Sequence, residues 1–563
     1  MKHKTVDKSK SKKWLITGSI IVGITILLFT GLYVFNFWLE NKIESSVHKQ
    51  SKGVYTLKLH GLETSPFVGL VSVDSLSLTP DYKRWEQLRE QQQEVSRTLL
   101  DLKSKSISLN SLNFFNMLFR NNVTLESLVV QQPSMVMTVM MQDTTTTHKP
   151  MHETVKGLLR SMKVGKIDVD SATFKYKTRI GNDAELLHLK SFNLTVQDFQ
   201  LDSASFNDDS RAYYAKRILV KAAGAEATVP EGHYHFTTDS LIVDTANNFL
   251  TAKKINMQPK TKNSDVARAK GRAVTSINLK ISDVSVTGVD YAKHSRKNDV
   301  YIQHILINEP NLDAYKDKHN FKDKGVKPLP HDLVQQVKFK LNVDTVQVKN
   351  AYMRYEELSQ GATETGHIFF SRLNGTVTNL TNIPSKISKS KPAVVSARAL
   401  LMGKTEFQAT ARLPLLDKNA FHTLEGSLGS GNPEMLNPIL VPTNFIKVDE
   451  GYVRQITFNA TLNRNGAKGS MKALYSNLEI EVLSKGATSE EDQSLGKEII
   501  SQAANWFLIK SSNPDDKGEK PRIGEINVTR NKQGSFITYW KDCIVSGLMA
   551  SIGLEKMADN KFN

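Results

Sequence analysis

The sequence predicts a mainly β protein with minor helices: an N-terminal transmembrane helix followed by an elongated, folded-over antiparallel β-sheet groove of repeated units. Three observations predict it. A charge-free stretch runs from Trp14 to Leu39 behind a lysine cluster. Apolar residues then recur with a period of two along most of the chain. Between these runs the long helical insertions of a βαβ fold are missing, so an antiparallel sheet is expected.

The first element is the anchor. The Trp14–Leu39 stretch is long enough for a bilayer core, which needs about 20 helical residues. Trp14 at one end and Tyr33, Phe37 and Trp38 at the other match paired aromatic belts, with Ile20, Ile24 and Leu28 between them. Lys2, Lys4, Lys8, Lys10, Lys12 and Lys13 precede it, so the positive-inside rule keeps the N-terminus cytoplasmic and exports everything after Glu40. A cleaved signal peptide is the competing reading. It requires a shorter apolar core and a small-x-small cleavage site, and the sequence offers neither.

The exported part reads as strands. Tyr55/Leu57/Leu59, Ile107/Leu109, Ile167/Val169 and Phe192/Leu194/Val196 alternate with polar residues. So do Ile277/Leu279/Ile281, Val337/Phe339/Leu341/Val343, Ile456/Phe458/Ala460/Leu462 and Leu478/Ile480/Val482. Helical patterns are expected over Tyr82–Lys103, Met151–Met162 and Leu495–Ile509. Polar tracts at Thr144–Thr147, Lys316–Lys324, Ser385–Lys391 and Ser511–Lys520 read as linkers, the last two as boundaries of a C-terminal region.

Two patterns repeat loosely. One ends an apolar alternation on proline: Leu76-x-Leu78-x-Pro80, Ile255-x-Met257-x-Pro259, Leu128-x-Val130-x-x-Pro133 and Ile305-x-Ile307-x-x-Pro310. Proline has no ladder donor, so it belongs at a strand end or bulge. The other pairs Val169–Tyr176 with Val348–Tyr355. Both readings stand: chance similarity among amphipathic strands, or an array of similar β units.

Composition agrees with a folded, exported protein. The 563 residues are 39% hydrophobic and 23% charged, which excludes global disorder. The net charge of +17 is scattered beyond the N-terminal cluster, which suits anionic lipid and excludes a dedicated nucleic-acid surface. Cys543 is the only cysteine, so no intrachain disulfide forms.

Chemical motifs are weak throughout. His233-Tyr234-His235 is a possible metal pair with only Glu231 or Asp239 nearby, and reads better as surface histidines. His148 and His152 have helical spacing, but Lys149 stands where a metalloprotease needs glutamate. Gly466-Ala467-Lys468-Gly469-Ser470 lacks phosphate-loop spacing and reads as a hairpin turn. The stretch Gly426–Gly431 holds no nucleophile elbow. Cys543 has no basic neighbour in its apolar tail, Trp540–Leu554, so burial is expected. No enzyme, metal or cofactor is expected.

Three stretches carry a family resemblance. Tyr55–Asp81 (YTLKLHGLETSPFVGLVSVDSLSLTPD), together with the anchor before it, and Gly232–Pro259 (GHYHFTTDSLIVDTANNFLTAKKINMQP) resemble the opening of AsmA-like bacterial envelope proteins. Phe445–Lys485 is similar to the family's C-terminal module, and Pro521–Leu554 to the tail beyond that module in relatives of the Bacteroidetes kind. The likeness rests on strand pattern and covers most of the exported chain.

The resemblance implies a periplasmic location, kinship with bridge-like lipid transfer proteins, and a cytoplasmic tail at 1–13 with an inner-membrane anchor at 14–39. A repeated β-groove would follow at 53–385, then an AsmA-like C-terminal module at 392–485. Residues 486–563 would hold a helical segment, a strand and an apolar tail. Phospholipid would slide along the groove, with Ile277, Leu279, Ile281, Val284, Val286, Val337, Phe339, Leu341, Val343, Phe458 and Leu462 as lining residues. Outer-membrane or other periplasmic proteins are the further partners, and outer-membrane biogenesis the process served. The other readings are an envelope scaffold or regulator of outer-membrane protein assembly, and a polysaccharide-binding array. The latter needs aromatic platforms, and an 8% aromatic content spread evenly does not provide them.

Overall fold

The alternating runs fold as strands in the computed structural model, which describes residues 30–141, 150–154, 156, 159–180, 184–229, 234–261, 263–483, 509–515 and 519–563. The protein is mainly β and divides into two units, Met1–Ala223 and Gly224–Asn563. Trp14, Ile20, Ile24, Leu28, the basic tail, Thr144–Thr147, His148, His233 and nearly all of the Leu495–Ile509 helix lie outside the described residues. Among the described residues no helix is long and apolar enough to cross a membrane.

The first unit starts with helix α1 (30–50), continuous with the charge-free stretch. Ten strands follow: β1 (Tyr55–His60), β2 (Glu63–Ser65), β3 (Leu70–Val73), β4 (Ser75–Pro80), β5 (Thr98–Ser104), β6 (Ser106–Asn110), β7 (Asn122–Gln131), β8 (Ser134–Val139), β9 (Ser161–Thr178) and β10 (Ala184–Leu201). Two half-ladders run side by side. One is β2–β3–β6–β7 and the other β1–β4–β5–β8, and both end on β9, whose first half pairs with β7 and second half with β8. β10 then pairs with the whole of β9. β11 (Arg217–Val229) straddles the division between the units.

The second unit continues with β12 (Tyr234–Asp244), β13 (Phe249–Pro259), β14 (Thr275–Thr287), β15 (Val300–Asn308), β16 (Asn311–Asp317), β17 (Leu341–Leu358) and β18 (Gly366–Thr381). β14 pairs through its two halves with β15 and β16, and both pair with β17. An antiparallel meander completes the unit: β19 (Ala393–Leu401), β20 (Thr405–Leu413), β21 (His422–Leu428), β22 (Ile446–Leu462), β23 (Gly466–Val482) and β24 (Gly524–Thr529).

The sheet pairing is mixed, which corrects the antiparallel expectation. β9 runs parallel to β7 and β8, and β17 parallel to β15 and β16. A parallel pair needs a crossover of a dozen or more residues. Of the expected linker Lys316–Lys324, Lys316 and Asp317 belong to β16, and the rest opens the crossover to β17.

The prolines stand where expected, at strand ends: Pro80 and Pro259 close β4 and β13, and Pro133 and Pro310 fall in the short breaks between β7 and β8 and between β15 and β16. Gln132 and Glu309, just before Pro133 and Pro310, each adopt a left-handed backbone with φ of 49°. Each still donates its N–H across the sheet, Gln132 to Asp170 O and Glu309 to Lys349 O, both at 2.8 Å. Each proline carbonyl then accepts from Thr173 N or Tyr352 N, again at 2.8 Å, and the ladder resumes. An odd step such as Val130 to Met135 would turn the apolar set to the other face of a regular strand. One inserted residue absorbs it and keeps the greasy face constant.

The same bonds recur in both units about 180 residues apart. Tyr55 Oη accepts from Leu100 N as Tyr234 Oη accepts from Ile277 N. Asn193 Oδ1 caps Ser171 N as Asn374 Oδ1 caps Asn350 N. Gly69 O accepts from Leu112 N as Asn248 O does from Val289 N.

Two helical expectations shrink. Only α2 (Tyr82–Glu90) of Tyr82–Lys103 is helical, because Leu100 and Leu102 alternate into β5 between β4 and β8. Met151–Met162 keeps one turn, α4 (Met151–Thr154) after α3 (Phe114–Arg120), and Ser161 already opens β9. Val337 and Phe339 precede β17 and lie in no strand; the short helix Pro330–Gln335 consumes the chain before them.

Candidate functional site

Cross-strand partners in a ladder project to the same face, so register alone shows which residues share a surface. In the second unit one such row runs Leu250, Val286, Ile305, Val346, Val377, Val395, Ala411, Leu424, Ala460, Gly469 and Ile526. Every member is apolar or glycine. The neighbouring row, on the opposite face, runs Thr251, Ser285, Leu306, Gln347, Thr376, Ser396, Thr410, Glu425, Asn459, Ser470 and Glu525. It is polar but for Leu306.

The apolar row changes character along its length. From Leu250 to Val395 its side chains are half-buried. From Ala411 on, Leu424, Ala460 and Ile526 are buried. The cover is the C-terminal helix Phe536–Ser551, whose Tyr539, Cys543, Gly547 and Ala550 face the sheet. Small residues let it approach closely: a Cβ on Gly547 would stand 2.8 Å from Ile526 and 2.9 Å from Met471. One end of the apolar face is therefore sealed, and the other is not.

The first unit has matching rows, among them Val71–Leu109–Leu128–Ile167–Val196 and Leu57–Leu78–Leu102–Met135–Phe174–Leu189. Leu39, Ile43 and Val47 of α1 pack on the start of this face, against the cluster of Leu57, Leu59, Leu62 and Val73.

The expected lining residues separate into four groups. Val284 and Val286 share the half-buried row system of β14 with β15, Ile277 and Leu279 occupy the half of β14 that faces β16, and Ile281 lies between the halves opposite Ile255 of β13. Leu341 and Val343 open β17, Leu341 half-buried and Val343 buried. Phe458 and Leu462 are sealed in the C-terminal core, at 5% and 0% exposure. Val337 and Phe339 stand off the sheet, and Phe339 is exposed. Ile305, Val346 and Val377 complete the open row, while half-buried Val395 already packs against the sealed core. Their alternation is present in the sequence, but only register puts them in line.

The buried polar groups belong to the core. His422 receives a hydrogen bond from Trp540 Nε1 at its Nε2, 3.1 Å, so its Nδ1 carries the proton given to Ala420 O at 2.8 Å. His331 lies beside it with its ring tilted by 42° and the ring centroids 5.5 Å apart. Burial, then the neighbouring His422, pull the His331 pKa down from 6.5 to about 4. Above pH 6.5 both folded and unfolded chains are neutral here, so stability is complete. As pH falls from 6.5 to about 4 only the unfolded chain takes up the proton, and up to about 3 kcal/mol is lost. Denaturant titrations across that range should show the loss, and His331→Leu should flatten it. An unchanged slope in His331→Leu contradicts the assignment.

Cys543 is fully buried, and burial with the adjacent Asp542 pushes its thiol up to about 12. Native protein is therefore expected to resist alkylation at neutral pH until unfolded. Rapid labelling of the native thiol, read by mass spectrometry, contradicts this. Gly466 closes the β22–β23 turn, accepting from Asn463 N at 3.0 Å. Nδ1 of His152 lies 2.8 Å from Tyr214 Oη, in an aromatic cluster with Phe206. Among the described residues no group of three or more His, Cys, Asp or Glu is placed to hold a metal ion.

No protein-family model matches the chain, and no curated protein matches its sequence.

Proposed function

We propose that this chain is an inner-membrane-anchored periplasmic protein, of the AsmA-like kind its strands resemble, that carries or channels phospholipid through an apolar β-groove. The observation that carries this reading is the apolar row of the second unit. Its Val and Ile side chains stay half-buried from β13 to β19 while the opposite row is polar. A sheet with one apolar face must bury it against something. Acyl chains supply that partner at about 0.8 kcal/mol per buried methylene, and head groups remain in water. Movement along such a face needs no reacting group.

The charge-free 14–39 stretch and its preceding lysines support the anchor and its orientation. The resemblance supports the role in outer-membrane biogenesis. The test is lipid analysis of the full-length protein by mass spectrometry, paired with transfer of fluorescent phospholipid between liposomes. Stoichiometric phospholipid and accelerated transfer are expected. A lipid-free protein that moves nothing defeats the proposal.

A further inference from the structure

The recurrence of the two units gives an internal control for what the fold itself requires. In each unit a short helix follows the same strand: α3 in the first, Tyr291–Lys297 in the second. Both have a side-chain N-cap, Asn113 or Asp290, and both end on an αL asparagine, Asn121 or Asn298. Both are preceded by a bond to the same turn, Leu112 N to Gly69 O and Val289 N to Asn248 O. The architecture is therefore the same at the two places, and any difference in side chains is not needed to make it.

The side chains differ in one direction. In the first unit the turn and helix expose Phe67 (96%), Val68, Phe115 and Phe119 (74%). Counted from the bonds the units share, the second unit has Ala246, Asn247, Ala292 and Arg296 there. Single exposed apolar residues are ordinary, but a cluster on one turn and one helix marks a contact surface.

The neighbouring α1 says what the contact is. Thr64, beside the turn, bonds Asn36 of α1 through their side-chain oxygens at 2.5 Å. Phe114 and Met117 of α3 line one pocket of 410 Å³ with the face of α1 that runs from Phe35 through Trp38 and Ile43 to Gln50. The Thr64–Asn36 bond puts the turn that bears Phe67 and Val68 near the end of α1 that carries Tyr33, Phe37 and Trp38, and α3 lies along α1 beside it. Cations accompany them as at a head-group boundary: Lys42 over Trp38 at 4.6 Å and Arg120 over Phe115 at 5.7 Å.

We infer that Phe67, Val68, Phe115 and Phe119 dip into the outer leaflet of the membrane that α1 enters, a second, interfacial contact that holds the first unit's apolar face against the lipid surface. The inference rests on reading 14–39 as a membrane span. Two contacts fix the rotation of the sheet about the helix axis, which a single span leaves free. Phe and cationic side chains are suited to that depth.

The test uses full-length protein in liposomes of phosphatidylethanolamine and phosphatidylglycerol. An environment-sensitive fluorophore is placed at Phe67→Cys, Phe115→Cys or Phe119→Cys, at Trp38→Cys on α1, and at Ala292→Cys or Arg296→Cys in the second unit. Cys543 is buried and stays unlabelled. Blue-shifted emission and quenching by shallow doxyl-lipid are expected at positions 38, 67, 115 and 119, with neither at 292 and 296. Quenching at 38 without quenching at 67, 115 and 119 overturns the inference and leaves the span standing. No quenching at any position removes the span and the inference together. Quenching at 292 and 296 equal to that at 115 and 119 shows a non-specific surface effect and also overturns it.

Discussion

Val286→Glu and Leu279→Glu are each expected to leave the protein folded while removing most of its lipid. Both side chains are half-buried on β14, paired with Leu250 and Ile305 or with Met257 and Leu312, so a glutamate there keeps its backbone ladder and reaches water. Acyl chains lying on the same row would have to surround a carboxylate. An ionised side chain in a hydrocarbon setting costs about 3 kcal/mol, which converts to roughly a 100-fold loss of occupancy. Circular dichroism and melting would check the fold, and lipid mass spectrometry and liposome transfer the loading. A folded Val286→Glu protein with wild-type lipid content and transfer favours a scaffold over a carrier.

The opposite behaviour is expected at the sealed end. Leu462→Ala should cost about 2 to 5 kcal/mol of stability, because the side chain is fully buried and its cavity cannot collapse freely. Leu462 pairs with His422 and Ala467 and belongs to the cluster that the C-terminal helix covers with Tyr539 and Cys543. Leu279→Ala, on the half-buried part of the sheet, should cost about 1 kcal/mol or less. Urea unfolding of the two variants measures the contrast. Equal losses mean that β14 is packed as tightly as β22, and the open face does not exist.

Strand existence was legible in the sequence because burial on one face imposes a period of two, and runs such as Ile277/Leu279/Ile281 carry that period without interruption. The proline-marked pairs were legible as similar and as strand ends, but not as breaks across which pairing with one partner strand continues. A proline excludes a ladder donor and says nothing of whether the ladder resumes beyond it, as it does at Ser134 and Asn311. Parallel pairing of β17 with β15 and β16 was hidden for a different reason. Amphipathic strands look alike in either direction, and the crossover before β17 carries only six helical residues, Pro330–Gln335.

The candidate face was half legible. Alternation gave Val284 and Val286 a greasy side, yet Phe458 and Leu462 show the same alternation and are sealed. The difference between them is a helix from the far end of the chain, Phe536–Ser551, and period-two reading holds no information about distant covers. The exposed phenylalanines of α3 were not legible because an apolar run as short as FFNMLFR has the same pattern whether it is buried or exposed. Only its counterpart YAKHSRK shows that the position does not demand them.

The most direct test is photo-crosslinking in cells from benzoylphenylalanine placed on the two faces of the same strands. Positions 286, 346 and 377 carry the apolar row, and 285, 347 and 376 the polar one. Phospholipid adducts at the first three and none at the second three are the predicted result. Adducts on both faces alike, or on neither, contradict a lipid-bearing face.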